Sequence, residues 1–248
     1  MSDEAPGDPS QAVADFALAR LRVDALFTRD SQGDLVTINE LEPDPPSGPA
    51  PRVYLGVTPG GIARAYRHDV PAALRAAIDQ FCEAAVIPAP SLEALLPALR
   101  AVVKAHESAG EVWDISSGPA YVFPEALTTP DAVTLVEPGH ADLLAEHFPF
   151  TATWLRESWP CYAIVVDGRA VAICDSARRT AHVAEAGVDT VAEYRGRGYA
   201  ALVTAAWAQA IRATGITPVY STSHDNHASQ AVARKLGLRE FGWDVQVE

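Results

Sequence analysis

Apolar positions along the chain follow two rhythms, and the switches between them mark its elements. An acidic tail, residues 1–9, with two prolines, reads as disordered. Ser10 is then placed to cap a helix through AVADFALARLRVDAL. Alternating positions in LFTRD and LVTINE around DSQGD predict a hairpin, and RVYLGV and IARAYR around Thr58–Gly61 predict a second. The intervening LEPDPPSGPAP holds five prolines and reads as a loop. Helical spacing returns over 69–86, begun by Asp69 and Pro71, and over 91–108, with Pro97 in its early turns. EVWDI and AYVFP read as a pair of strands separated by Gly118 and Pro119.

A new unit is expected near Thr129-Pro130. VTLVEP predicts a strand, HADLLAEHF a short helix and TATWLRESW a second helix stopped by Pro160. CYAIVVDGRAVAICDSARR is a hairpin turned by Asp167-Gly168. A strand over residues 181–190, a helix from Gly198, the strand TPVYST, the helix SQAVARKLG stopped by Gly237, and the strand REFGWDVQV complete the chain. The fold class is therefore mixed α+β. A disordered tail (1–9) and an N-terminal α+β lobe (10–128) precede a C-terminal domain (129–248).

Composition narrows the function. The chain has 248 residues, 48% of them hydrophobic and 21% charged, which bounds one large or two small globular domains. No apolar run is long enough to span a membrane, and the N-terminus lacks the basic and apolar regions of a secretory signal. Cys82, Cys161 and Cys174 are scattered and read as reduced core residues, so a cytoplasmic protein is expected, without a metal site. The net charge of −13, with only Lys104 and Lys235 as lysines, leaves no basic stripe for nucleic acid. It favours solubility, or a cationic substrate such as an amine. Alanine- and arginine-rich usage with little lysine has a bacterial, GC-rich character.

The most informative stretch is Arg195-Gly196-Arg197-Gly198-Tyr199-Ala200, a glycine turn opening into a helix. The first turn of a helix has N–H groups without intrahelical partners and carries partial positive charge, so such a turn suits a phosphate or pyrophosphate. A P-loop would need a lysine after the glycines, and none follows. GxGxx(G/A) is satisfied by Gly196, Gly198 and Ala201, but the acidic residue of a dinucleotide site is missing from TPVYST, and only 48 residues follow Ala200. Arg195-x-x-Gly198-x-Ala200 instead resembles the (Q/R)xxGx(G/A) signature of the GNAT superfamily of acyl-CoA N-acyltransferases. Asn226-x-x-Ser229 followed by Lys-Leu-Gly237-Leu is similar to the segment that closes many GNAT domains. The resemblance covers about residues 130–248.

It implies a GNAT fold, with a central mixed, mostly antiparallel sheet flanked by helices. It also implies acetyl-CoA as cosubstrate, a small-molecule or peptide amine as acceptor, and direct attack in a ternary complex. The implied cofactor contacts are Thr190 and Val191 on the strand, Arg195, Gly196, Arg197, Gly198, Tyr199 and Ala200 in the turn, and Asn226 and Ser229. Asn226 is equally a natural helix cap. The implied general base is Glu185, with Asp189 and His182 in reserve. The tyrosine that often protonates the leaving thiolate in the family is replaced by Ala233, leaving Tyr199, Tyr220, Ser223 or His224 as substitutes. Arg178 and Arg179 could meet an acceptor carboxylate. A non-catalytic acyl-CoA sensor is the alternative reading, and a homodimer is among the assemblies open to the chain. The N-terminal lobe could be a separate appendage or a degenerate second GNAT-like half.

Overall fold

The computed structural model describes residues 8–41, 48–84, 91–107, 113–128 and 132–248. In chain order the elements are α1 (Pro9–Leu26), β1 (Phe27–Arg29), β2 (Leu35–Ile38), β3 (Val53–Thr58), β4 (Gly61–Tyr66), α2 (Ala72–Ala84), α3 (Leu92–Lys104) and β5 (Ile115–Val122). There follow β6 (Thr134–Leu135), a 3-10 helix (Pro138–Leu144), α4 (Pro149–Thr153), β7 (Tyr162–Val166), β8 (Arg169–Arg179) and β9 (Val183–Thr190). After a short 3-10 turn (Ala192–Tyr194) come α5 (Tyr199–Ala213), β10 (Thr217–Ser221), α6 (His227–Lys235) and β11 (Arg239–Val247). The class is mixed α+β, as the alternating rhythms predict.

Two compact units divide the chain. The first comprises Met1–Ile38, Gly48–Ala120 and Phe241–Glu248, the second Asn39–Ser47 and Tyr121–Glu240. The end of the chain, which the sequence assigns to the C-terminal domain, thus lies in the first unit. There β11 runs antiparallel to β3, from Trp243 opposite Val57 to Val247 opposite Val53. Every residue of β3 is buried. Leu74, Ile78, Leu95 and Leu99 of α2 and α3 pack with Val53 and Leu55, while Val23 and Leu26 of α1 pack with Tyr54 and Ala65.

Three local expectations change. Helix α1 starts at Pro9, with Asp8 rather than Ser10 as its cap: Asp8 Oδ1 accepts from Ser10 N at 2.9 Å. Residues 1–7 of the expected tail lie outside the described residues, as do 42–47 of the proline loop, 87–90 of the interhelical break, 111–112 of EVWDI and the Thr129-Pro130 boundary. Gly118 and Pro119 do not separate a pair of strands but lie within β5. Proline's fixed φ fits extended backbone, and the approach to the strand is held by Asp114 and Glu248, which exchange both backbone hydrogen bonds. Of TATWLRESW only Thr151–Thr153 are helical, as the end of the five-residue α4; Thr153 Oγ1 donates back to Pro149 O, and the chain continues in turns to Pro160.

In the second unit the strands run β10-β9-β8-β7-β6. The turn between β7 and β8 is made by Asp167 and Gly168, both at positive φ (50° and 77°), the geometry that matches strand twist in a two-residue hairpin. Helix α5 buries Val203, Trp207, Ala208 and Ile211 with Val171, Ala172 and Cys174. The indole Nε1 of Trp207 donates to Ser176 Oγ at 3.1 Å. Ala170 and Ile173 of β8 pack instead with Leu144 and Phe148. Strands β9 and β10 are parallel for only three pairs, Val183–Glu185 against Thr217–Val219. β9 then continues to Thr190, paired on its other side with β8. That separation opens the site.

Candidate active site

Beyond the last β9–β10 pair, a cavity of ≈ 610 Å³ lies between the end of β9, the start of α5 and the flank of α6. One end of it is formed by the turn Arg195–Ala200. Gly196 and Gly198 adopt φ of +75° and +81°, a region that favours glycine, and a Cβ on Gly198 would collide with Lys235 Nζ. Gly198 is the N-cap of α5 and offers no side-chain cap. The first intrahelical bond is Leu202 N to Gly198 O, so the N–H groups of Tyr199, Ala200 and Ala201 precede the helical ladder. Two cations line this end, Arg195 and Lys235. Arg195 Nε donates to Thr190 O at 3.1 Å, which fixes its stem against the strand end.

Of the residues expected to bind the cofactor, Thr190, Arg195, Gly196 and Gly198 line this cavity, and Tyr199, Ala200, Asn226 and Ser229 do as well. Val191 and Arg197 do not. Val191 gives its N–H to Val171 O at 3.0 Å, and Arg197 is exposed, its guanidinium 4.8 Å from the Tyr194 ring centre. The main-chain groups of Thr190 are also engaged, its N–H with Asp189 Oδ1 and its carbonyl with Arg195. Its hydroxyl is different: Thr190 Oγ1 is buried and has no hydrogen-bond partner. Asn226 Oδ1 caps α6 by accepting from Ser229 N at 3.0 Å. Lys235 is the contributor that sequence reasoning missed. Its signal was available, since it is one of two lysines and sits in the Lys-Leu-Gly element.

The catalytic candidates separate. Glu185 is buried and accepts from Ser221 Oγ at 3.2 Å, and it lines neither this cavity nor the ≈ 410 Å³ cavity that shares Val188 and Asp189 with it. His182 is exposed just before β9, at the end of the strand away from Thr190. Asp189 lines the cavity. Ala233 is buried in the apolar core with Trp207 and Ile211, and so supplies no acid. Ser223 and His224 stand on an exposed loop outside the cavity, whereas Tyr199 and Tyr220 line it. Tyr220 Oη lies 2.6 Å from Ser229 Oγ. Burial pushes the Tyr220 pKa up, against the opposing pull of Ser229, so the phenol stays protonated at neutral pH.

The second cavity, ≈ 410 Å³, is lined by Ile173, Asp175 and Arg178 of β8, Gly187 of β9, and Phe148 and Phe150 before and within α4. Val188 and Asp189 line both cavities. Arg178 pairs with Glu40, and its buried Nε has no hydrogen-bond partner. Arg179 donates to Trp159 O and is exposed. Asp175 was not singled out from the sequence. It faces Gly187 across the β8–β9 ladder, and burial pushes its carboxyl up to about 6. The Thr151 hydroxyl opposes that shift through a hydrogen bond; the Ser158 hydroxyl opposes it from nearby, outside hydrogen-bonding geometry. Although closely surrounded by protein, Asp175 keeps partial solvent exposure through the cavity. The three cysteines are all buried, and burial raises each thiol, Cys82 to about 11. None is poised as a nucleophile. Among the described residues no group of three His, Cys, Asp or Glu could hold a metal, and no helix is long and apolar enough to cross a membrane.

A strand pair that diverges over an uncapped, cation-flanked helix start is an arrangement suited to an anionic ligand. Residues 139–242 match the family described as GNAT acetyltransferase. No functionally curated protein matches the sequence. Among solved structures, the chain is similar to a GCN5-related N-acetyltransferase-like protein from Streptococcus suis (16% identity, 94% of this chain and 99% of that one, TM-score 0.48). It is also similar to a GNAT-family acetyltransferase from Colwellia psychrerythraea (14% identity, 99% and 98%, TM-score 0.48). A third, a GCN5-related N-acetyltransferase from Kribbella flavida, shares 21% identity over 61% of this chain and 63% of its own, with a TM-score of 0.41.

Proposed function

We propose that the chain transfers an acetyl or other short acyl group from an acyl-CoA to a primary amine, by direct attack with both substrates bound. The observation that carries this reading is the larger cavity, where free helix N–H groups, two cations and one unpartnered hydroxyl converge. The first-turn N–H groups of α5, with Arg195 and Lys235, hold the pyrophosphate; this is where anionic oxygens complete the unfinished helix end. The Thr190 hydroxyl donates to an oxygen of the pantetheine or thioester. The thioester supplies an activated acyl group, and the chain's own contribution is position and polarisation. Tyr220, protonated and inside the cavity, donates to the leaving thiolate in place of the tyrosine missing at Ala233. The acidic surface draws in cationic amines.

Thermal unfolding with acetyl-CoA, free CoA, NAD or no ligand tests the binding assignment. A ligand at 100 times its dissociation constant adds about 2.7 kcal/mol to the native state. A rise with both CoA species and none with NAD is expected. No rise with either CoA species overturns the reading.

A further inference from the structure

The second cavity has a composition that the cofactor cleft lacks. Its apolar walls come from Phe148, Phe150 and Ile173, and β8 contributes Asp175 together with Arg178, which pairs with Glu40. Space for that carboxylate exists because its cross-strand neighbour is Gly187: a Cβ there would lie 2.5 Å from Asp175 Oδ1. Gly187 has no positive φ, so its need for glycine is steric and points to Asp175. Val188 and Asp189, which follow Gly187, are the residues common to both cavities. A group in the smaller cavity therefore meets β9 at the stretch that also walls the proposed thioester site.

We propose that the smaller cavity is the acceptor site, that it takes a primary amine carried on an apolar arm, and that Asp175 is the general base. This rests on the acyl-transfer reading above. The incoming ammonium gives one proton to the Asp175 carboxylate. The neutral nitrogen then forms a bond to the acyl carbon while the carbon–sulfur bond breaks. The sulfur keeps the electron pair and leaves as thiolate, which takes a proton from Tyr220; the second nitrogen proton passes through water to restore the phenol, and Asp175 returns its proton to solvent. Contact with the buried Phe148 and Ile173 desolvates the amine, which lowers its own pKa and eases the first step.

The groups around Asp175 set its pH response. Asp189 faces it from β9 and adds to the rise caused by burial, Cys161 and Cys174 are neutral neighbours, and Thr151 donates from α4. His147, Glu40 and Arg178 stand on the cavity wall, the last two paired with each other. No cation pairs with Asp175 among the described residues. A carboxyl at about 6 is ionised at neutral pH yet more basic than an ordinary aspartate, as proton abstraction needs.

The test is acetylation of n-hexylamine and 2-phenylethylamine by acetyl-CoA, followed as thiol release from pH 5 to 9. Wild type, Asp175→Asn and Glu185→Gln are compared, with the acetyl-CoA thermal shift of each as the check on folding. Wild-type kcat/KM should rise with pH through a limb near 6. Asp175→Asn should keep the acetyl-CoA shift, lose that limb and lose about 10²–10³-fold in kcat at pH 7. Gly187→Ala, which crowds the carboxylate without removing it, should lower kcat about tenfold. An Asp175→Asn enzyme with wild-type rate and limb overturns the proposal, as does loss of the limb in Glu185→Gln instead. If wild type binds acetyl-CoA but acetylates neither amine, the acceptor assignment fails alone. If it binds no CoA species, the acyl-transfer reading fails with it.

Discussion

The first unit holds a buried aspartate in its sheet and the second a half-buried one, and their surroundings give them opposite uses. In the first unit Asp244 of β11 meets Arg22 of α1 through two parallel hydrogen bonds, at 2.8 and 2.9 Å, and accepts a third from Tyr54 Oη at 2.6 Å. Arg22 is 1% exposed and also lies 5.5 Å from the centre of the Phe241 ring. In the second unit no cation among the described residues pairs with Asp175, the nearby Arg178 being paired with Glu40, so burial leaves its charge uncompensated and its proton affinity rises. A buried carboxylate that is fully paired acts as a clamp. One that is left short of a partner is available for chemistry, at some cost in stability.

Four changes would break or sharpen that contrast, in falling order of expected effect. Asp244→Ala strands the Arg22 guanidinium and should remove about 3–5 kcal/mol of stability, read from urea midpoints. Replacing Arg22 and Asp244 together with Met and Leu should cost much less; an equal cost would show that the clamp works through more than its charges. Gly198→Asp puts a side chain at positive φ and a carboxylate beside Lys235 where the pyrophosphate is proposed to bind. It should weaken acetyl-CoA by about 2–3 kcal/mol, or roughly 100-fold by calorimetry, and unchanged affinity would remove the phosphate assignment.

The third change, Asp175→Asn, should stabilise the protein by about 1–2 kcal/mol at pH 7.5, in contrast to Asp244→Ala, because solvent entering the cavity tempers the burial penalty. The folded-state pKa of Asp175 is raised above its unfolded value. Between about 4 and 6 the native state therefore binds more protons than the unfolded one, and wild-type stability falls as pH rises through that window. Denaturation at pH 4 and 7.5 should show the variant's advantage only at the higher pH. The smallest effect is Thr190→Val, which removes the unpartnered hydroxyl and should cost about 0.5–1.5 kcal/mol in acetyl-CoA binding, with little change in stability.

What the sequence discloses follows from how local each requirement is. Asp167-Gly168 and Gly196–Gly198 announce themselves because positive φ is a property of the residue and its neighbours, and the structure has both turns. The Asn226 cap is equally local. Gly118-Pro119 misleads for the complementary reason: the pair has turn character alone, but it lies within a single strand. Lys235 reaches the glycine turn from another helix, and no spacing rule links positions 198 and 235. Asp175 is the extreme case. Its character depends on a missing side chain across the ladder at Gly187 and on Thr151 from α4, so within CDSARR it is one acidic residue among polar neighbours. Glu185 drew attention through its place in the motif order, and the fold turns it toward Ser221 instead of either cavity.

The most direct measurement is an NMR titration of the Asp175 carboxyl carbon, identified by its loss in Asp175→Asn, from pH 3 to 8. A midpoint near 6, shifting when 2-phenylethylamine is added, is the predicted result. A midpoint near 4 that the amine leaves unmoved would contradict the account, making Asp175 an ordinary solvated carboxylate.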